Sequence, residues 1–175
     1  MYIRTFGRTA ALSLLLLTLI VLTACSRRFS VSLNDQMLYD PRPGNAVVTV
    51  QDPGLQSCIN VLMRERALSD VTAVEVLACP GLEIASLAGI EQLVNLRFLD
   101  LAGNELINLD GLQALSRLSS VNAPENRLQD ISALLRNSSL TSAVLTGNPL
   151  IPCAQLDALG ERLQNNLLRP EICAP

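Results

Sequence analysis

Five cysteines stand at Cys25, Cys58, Cys79, Cys153 and Cys173 of a 175-residue chain that contains no histidine. All thirteen basic residues are arginine. These absences narrow the chemistry at once. Without His, the usual proton carrier at neutral pH and the commonest metal ligand are both missing. Cys–His and Ser–His–Asp nucleophiles are therefore excluded, and the lack of lysine excludes a Ser–Lys pair. No G-x-S-x-G, phosphate-loop or H-E-x-x-H stretch occurs. The cysteines contain no C-x-x-C pair and fall in separate parts of the chain, which disfavours a metal site. Asp100 and Glu105 are near in sequence, but exposed strand and loop positions make them ordinary solvated charges. A hydrolase acting through carboxylates alone is the one enzymatic alternative. The expectation is no enzyme, no cofactor and no metal.

The elements that could position these residues must be built from small apolar side chains. Apolar residues make up 49% of the chain, aromatics only 3%, and Trp is absent, so the core is Leu, Ile, Val and Ala. The net charge is −3, with no basic stripe, which argues against nucleic acid as a partner. Residues 1–24 show a positive start, Arg4 and Arg8, and an apolar run from Ala10 to Leu22. That run is shorter than the ~18–20 residues a spanning helix requires, so it reads as a secretion signal and not as a permanent anchor. It ends in "LTAC" (Leu22 to Cys25), which resembles the lipobox of bacterial lipoproteins. The resemblance implies cleavage before Cys25 and acylation there with diacylglycerol and an amide-linked chain such as palmitate. Several chains are required because a single acyl chain holds only marginally. It further implies that Ser26, following the Cys, does not retain the protein in the inner membrane; the expected address is the outer membrane, facing the periplasm.

The stretch "LRFLDLAGNEL" (Leu96 to Leu106) fits neither a helical period nor strict alternation, yet it recurs. "LSSVNAPENRL" (Leu118 to Leu128) and "LTSAVLTGNPL" (Leu140 to Leu150) follow at intervals of twenty-two residues. Asn104, Asn126 and Asn148 align, as do Leu106, Leu128 and Leu150. The intervening halves agree too, through Leu87, Leu109 and Ile131, then Ile90, Leu112 and Leu134. "VTAVEVLAC" (Val71 to Cys79) reads as a degenerate first copy with Cys79 in the Asn place, twenty-five residues ahead of the next. Ala123, Ala143 and Pro124 thin the later copies. Such periods mark stacked architectures, and this one resembles the leucine-rich repeat in its twenty-two-residue, internalin-like form. With its signal and caps, the chain is most similar to bacterial leucine-rich-repeat lipoproteins.

The resulting expectation is an α/β fold: a short leucine-rich-repeat solenoid with one parallel strand per coil and helical caps at both ends. Arg97 to Leu101 would form one strand with Leu99 and Leu101 inward. Asn104, Asn126 and Asn148 would form a ladder satisfying the backbone of each turn. "LAGIEQLVN" would give a short helical or 3₁₀ return, and each coil would depend on its neighbours for burial.

Both ends of such a stack need covering. Asp52 as N-cap and Pro53 at the first position predict a front cap helix over 53–68, with Leu55, Cys58, Ile59, Leu62 and Arg66 on one side. Pro152 opens a back cap within 151–175, with Leu156, Leu159 and Leu163 inward and Gly160 weakening the helix. The alternative is that this amphipathic helix lies on a membrane or a partner, but its polar side lacks a basic cluster. Four cysteines remain beside Cys25, and an even count outside the cytoplasm suggests bridges with three connectivities. Cys153–Cys173, stapling the back cap, is favoured, together with Cys58–Cys79. The alternative is that Cys79 is a buried free thiol. Residues 25–52 form a lipidated N-terminus with an edge hairpin: Phe29, Val31 and Leu33 alternate, Asn34-Asp35 turns, and Met37 to Tyr39 returns. "AVVTV" (Ala46 to Val50) reads as another strand, and these pieces are expected at the front edge of the sheet. A disordered tether is the alternative.

The repeats over 69–150 offer a surface. Residues pointing away from the core would be Thr72, Ala73 and Glu75; Arg97, Phe98 and Asp100; Ser119, Ser120 and Asn122; and Thr141, Ser142 and Val144. The resemblance places ligand contacts on this concave face, which implies a non-catalytic protein-binding module held to the bilayer through acylated Cys25. The alternative is a structural envelope lipoprotein without a specific ligand.

Overall fold

The front of the fold is organised by Asp52. In the computed structural model, which describes residues 30–33, 36–39 and 48–173, its Oδ1 accepts from the Gly54 and Leu55 amides at 2.9 and 3.1 Å. Those are orphan donors of helix α1, Pro53–Glu65, so the carboxylate is its N-cap. Gly54 is required by close approach: a Cβ there would run into the Leu82 carbonyl oxygen. The helix stops at Glu65, short of the expected Leu68. Ala67 takes the left-handed conformation at φ 49°, and Leu68 N donates to Met63 O at 2.8 Å. This six-to-one bond closes the helix end in the manner of a Schellman turn.

Behind α1 the chain winds in coils. Strands β3 (Val76–Ala78), β4 (Phe98–Asp100), β5 (Ser120–Asn122), β6 (Ser142–Val144) and β7 (Leu167–Leu168) lie in that order in one sheet. All neighbours pair in parallel. Leu77, Leu99, Val121 and Ala143 point inward and are completely buried. The returning halves are 3₁₀ turns at Ile90–Gln92 and Leu112–Ala114, then helix α2 at Ser132–Arg136. They bury Ile90, Leu112 and Leu134, the positions expected from the helical spacing. Leu106 and Leu128 are buried likewise, but Leu150 is 57% exposed and Ile151 goes inside instead. The coil pattern ends there because the next element is a cap.

The amide ladder is present. Asn104 Nδ2 donates to Cys79 O and Leu101 O, both at 2.9 Å, while its Oδ1 accepts from Leu82 N and Ile84 N at 3.0 Å. Asn126 and Asn148 repeat this arrangement one and two coils on, donating to Leu101 O and Ala123 O and accepting from Leu106 N and Leu128 N. Each amide thereby ties its own turn to the coil before it.

The register of the first coil differs from expectation. Val76 pairs with Phe98 and Leu77 with Leu99, so the interval is twenty-two residues here too. Cys79 occupies the place of Leu101, and the Asn place is taken by Leu82. The reason is that a ladder amide needs a preceding coil. What precedes this one is α1, whose interior groups are bonded within the helix. Cys79 is buried and bridged to Cys58, with a Cα–Cα distance of 5.6 Å. The covalent link joins α1 to β3 in place of a ladder step.

The segment before α1 also departs from expectation. Strands β1 (Val31–Leu33) and β2 (Gln36–Tyr39) pair antiparallel as a separate two-stranded sheet and do not extend the main one. The turn at Asn34-Asp35 lies outside the described residues, as do Phe29, Ala46 and Val47. Val48–Val50 is docked but forms no strand. Val50 N donates to Gln56 Oε1 at 3.0 Å and Gln56 Nε2 reaches Val48 O at 3.4 Å. A buried side-chain amide takes the bonds that a neighbouring strand would have supplied.

At the back, helix α3 (Cys153–Leu163) buries Leu156, Leu159 and Leu163. Gln155 bonds to the last coil through Ile131 N and Asp130 Oδ1, both at 2.8 Å. Arg162 donates to the Leu134 and Leu135 carbonyls, closing the open end of α2. The chain then turns through a 3₁₀ segment to add β7 and reaches Cys173, which is bridged to Cys153. A loop of this length stabilises by about 3 kcal/mol in the chain-entropy account.

Two helix positions carry each other's preferred residue. Ala67 sits in a left-handed cap, where glycine is favoured. Gly160 sits inside α3, with only ordinary contact at 3.8 Å to Leu167 awaiting a Cβ. The double variant Ala67→Gly/Gly160→Ala is expected to gain roughly 1–2 kcal/mol in all, read as a higher urea midpoint with unchanged slope.

Candidate functional site

The outward side of the sheet is organised in three rows set by the strand register. At the strand entrance stand Glu75, Arg97, Ser119 and Thr141. Their backbones are tightly knit: Arg97 N and Phe98 N both donate to Glu75 O, and the same pair of hydrogen bonds recurs one coil on, from Ser119 N and Ser120 N to Arg97 O. Two side chains are absorbed in this knitting. Ser119 Oγ donates to Arg97 O at 3.0 Å and Thr141 Oγ1 to Ser119 O at 2.9 Å. The charged ends of Glu75 and Arg97 make no hydrogen bond among the described residues.

The middle row is Val76, Phe98, Ser120 and Ser142, neighbours by pairing. Val76 is 55% exposed, and Phe98 is half-buried. The last row is Ala78, Asp100, Asn122, Val144 and Leu168. Here Asp100 Oδ1 accepts from Ala102 N and from Asn122 Nδ2, both at 3.0 Å. The face is thus apolar at its two ends and hydrogen-bonding in its centre. With ~4.8 Å between strands, five strands give a width of about 19 Å.

Of the candidate contact residues, Glu75, Arg97, Phe98, Asp100, Ser119, Ser120, Asn122, Thr141, Ser142 and Val144 share this face. Thr72 does not, and neither does Ala73. Both lie in a 3₁₀ turn, Val71–Ala73, capped by Asp70, whose carboxylate accepts from Thr72 N at 2.8 Å. The shifted register of the first coil is the cause. Val76, Ala78 and Leu168 are on the face and were not anticipated. The twenty-two-residue interval, extended one coil further back, would have found the first two. Leu168 belongs to a strand of two residues, too short to alternate visibly.

On the far side of the molecule Asp130 holds the last coil to the cap. The Ser132 amide first, then the Gln155 amide and the Ser132 hydroxyl, hold its carboxyl below the ordinary carboxylate range, with Arg136 adding its charge. A carboxylate whose folded pKa is depressed contributes stability that is complete above its unfolded value and is lost as pH falls through its folded value. Acid titration followed by NMR should therefore show Asp130 protonating below a typical Asp, with the Ile131 and Ser132 amides shifting at the same pH. Among the described residues, no three Cys, Asp or Glu side chains gather closely enough to hold a metal ion.

No family model matches the chain, and no curated protein matches it in sequence. Solved structures do. It is similar to an internalin (inlF) from Listeria monocytogenes, with 28% identity over 56% of this chain and 31% of the internalin, at a TM-score of 0.50. It is also similar to internalin C2 (inlC2) of the same bacterium, with 21% identity over 68% of this chain and 53% of that one, at a TM-score of 0.54. The chain thus spans a third to a half of the length of these structures. The fold is that of a short leucine-rich-repeat solenoid, internalin-like in its coils and closed by two disulfide-bonded caps.

Proposed function

We propose that this leucine-rich-repeat chain is a lipid-anchored protein of the bacterial cell envelope that binds a protein partner, without catalysis, through the concave side of its sheet. One contrast carries the reading. Every inward position of β3 to β6 is completely filled, whereas the outward rows leave Val76 and Leu168 more than half exposed. Between them Arg97, Glu75, Ser120 and Ser142 make no side-chain hydrogen bond among the described residues. Apolar ends around a polar centre suit a partner surface that is itself amphipathic. The face is small beside the ~800 Å² per partner of a standard interface, so the turns and caps bordering it share the contact. Phe98, half-buried in the middle row, supplies the aromatic surface of the patch, a residue type enriched at interface cores.

The anchor belongs to the same proposal. Cys25 and its lipobox lie outside the described residues, and the support comes from the motif itself. Two disulfides suit an oxidising compartment such as the periplasm, and Ser26 after the lipidated Cys suits the outer membrane. Cys25→Ala should accumulate as an uncleaved precursor without lipid; normal processing would refute the anchor.

The binding side is tested in cells. A photo-crosslinking residue at Ser120 should capture a discrete protein that the same residue at Ala114, in a 3₁₀ return segment, does not. Arg97→Glu/Phe98→Ala should abolish that adduct. Identical products from Ser120 and Ala114, or none from either, would favour a structural envelope protein without a specific ligand.

A further inference from the structure

Exposed apolar side chains gather at the front end of the stack. Val31 and Leu33 of β1 and Leu38 of β2 are exposed to 40%, 62% and 52%. Strand β2 lies alongside α1. Leu38 lines an open groove of about 380 Å³ along α1, where Val61 and Leu62 stand beside the charged Glu65 and Arg66. Exposed apolar patches commonly mark protein or membrane interaction sites.

We infer that this end is the protein's seat on the membrane: the β1–β2 hairpin enters the interfacial layer of the bilayer that holds acylated Cys25. The inference rests on the proposed anchor. Chain length selects lipid as the occupant. Only five residues separate Cys25 from Val31, and at ~3.6 Å per residue the hairpin stays within about 20 Å of the bilayer surface. Two of the five are Arg27 and Arg28, and no carboxylate precedes Asp35. Juxtamembrane arginines are drawn to anionic headgroups. Three apolar side chains would bind a membrane weakly on their own. Once the acyl chains hold the protein there, their contact is intramolecular and the effective lipid concentration is high. With the front cap down, strands β3 to β7 step away from the bilayer at ~4.8 Å intervals. The concave face then looks sideways, into the layer next to the membrane.

The test uses the full acylated protein in vesicles of phosphatidylethanolamine and phosphatidylglycerol. An environment-sensitive fluorophore is attached at Leu33→Cys, at Leu38→Cys, or at Ile172→Cys near the opposite cap, where the native side chain is 52% exposed. Interfacial segments bury ~5–10 Å into the headgroup–acyl boundary. The probes at 33 and 38 should therefore shift to the blue and be quenched by lipids brominated along the acyl chain, and the probe at 172 should do neither. With the probe at Ser32→Cys, the pair Val31→Asp/Leu38→Asp should lose the shift while the protein still floats with the vesicles. Mass spectrometry of Cys25 separates the two ideas. An acylated, floating chain whose hairpin probes match the one at 172 overturns the seat alone. A chain without acyl mass on Cys25 overturns the anchor, and the seat with it.

Discussion

Asn126→Ala is expected to lower the stability by roughly 3–5 kcal/mol. The side chain is buried and serves backbone groups of two coils. Its Oδ1 accepts from Leu106 N at 3.1 Å, and its Nδ2 donates to Leu101 O at 2.9 Å and Pro124 O at 3.0 Å. Each buried backbone group left without a partner costs about 1–3 kcal/mol, and alanine admits no replacement. Against a total of roughly 5–15 kcal/mol, such a loss brings the chain close to unfolding. A thermal melt should show the midpoint falling by about 6–20 °C, taking ~2–4 °C per kcal/mol for a chain of this size. Asn122→Ala is the control. That amide lies four residues earlier, half-buried on the outward side, and donates only to the Asp100 carboxylate, so its loss should be minor. If the two variants melt together, the ladder does not support the stack.

Asn126→Asp sharpens the argument. A carboxylate can accept from Leu106 N but cannot donate to the carbonyls, and its charge would face their oxygens. The introduced group should therefore have a folded pKa raised above its unfolded value. A raised pKa contributes stability fully below the unfolded value and loses it as pH rises through the folded one. The variant should be closest to wild type in acid and furthest from it at neutral pH.

Asp52→Ala should be comparably damaging, at about 3 kcal/mol. The Asp52 carboxylate is shared between two elements. Besides the α1 cap, its Oδ2 accepts from Ala85 N at 2.9 Å and Ser86 N at 3.3 Å, in the first return segment. Loss of a cap alone costs ~1 kcal/mol, and the two further amides add a similar amount or more. Asp52→Ser separates the contributions, because a hydroxyl can cap α1 but is too short to serve residues 85 and 86. Urea unfolding should rank wild type above serine and serine above alanine. If serine equals wild type, the tie to the first return segment contributes nothing.

Much of this architecture is written in local spacing. The burial of Leu99, Leu101, Leu106, Leu109 and Leu112, the Asn positions, and the capped start of α1 all follow from residues within one or two coils of each other. Repetition makes them legible, because every coil solves the same problem of burying one side and satisfying one turn. Both cysteine pairings were reachable too, since each bridges a cap to itself or to the coil it covers. The concave rows of the later coils follow from alternation within three-residue strands.

The ends of the stack were not legible, for a common reason. A terminal coil has a neighbour on one side only, so the rule that governs the middle does not bind it. Leu82 takes the Asn place because α1, with its own bonds complete, offers that place no backbone partner, and the register of Thr72 and Val76 moves accordingly. Leu150 turns outward, and Leu167–Leu168 joins the sheet as a fifth strand, because α3 has replaced the next coil. Gln56 and Gln155 look like ordinary helix surface, and only docking reveals that they supply the hydrogen bonds of a missing strand and a missing coil. The repeat, the ladder and the caps were thus set by the sequence alone, through periodic burial and hydrogen-bond demand. Tertiary contact decided how the series begins and stops, since an unpaired backbone group is satisfied by whatever element lies beside it, however distant in the chain.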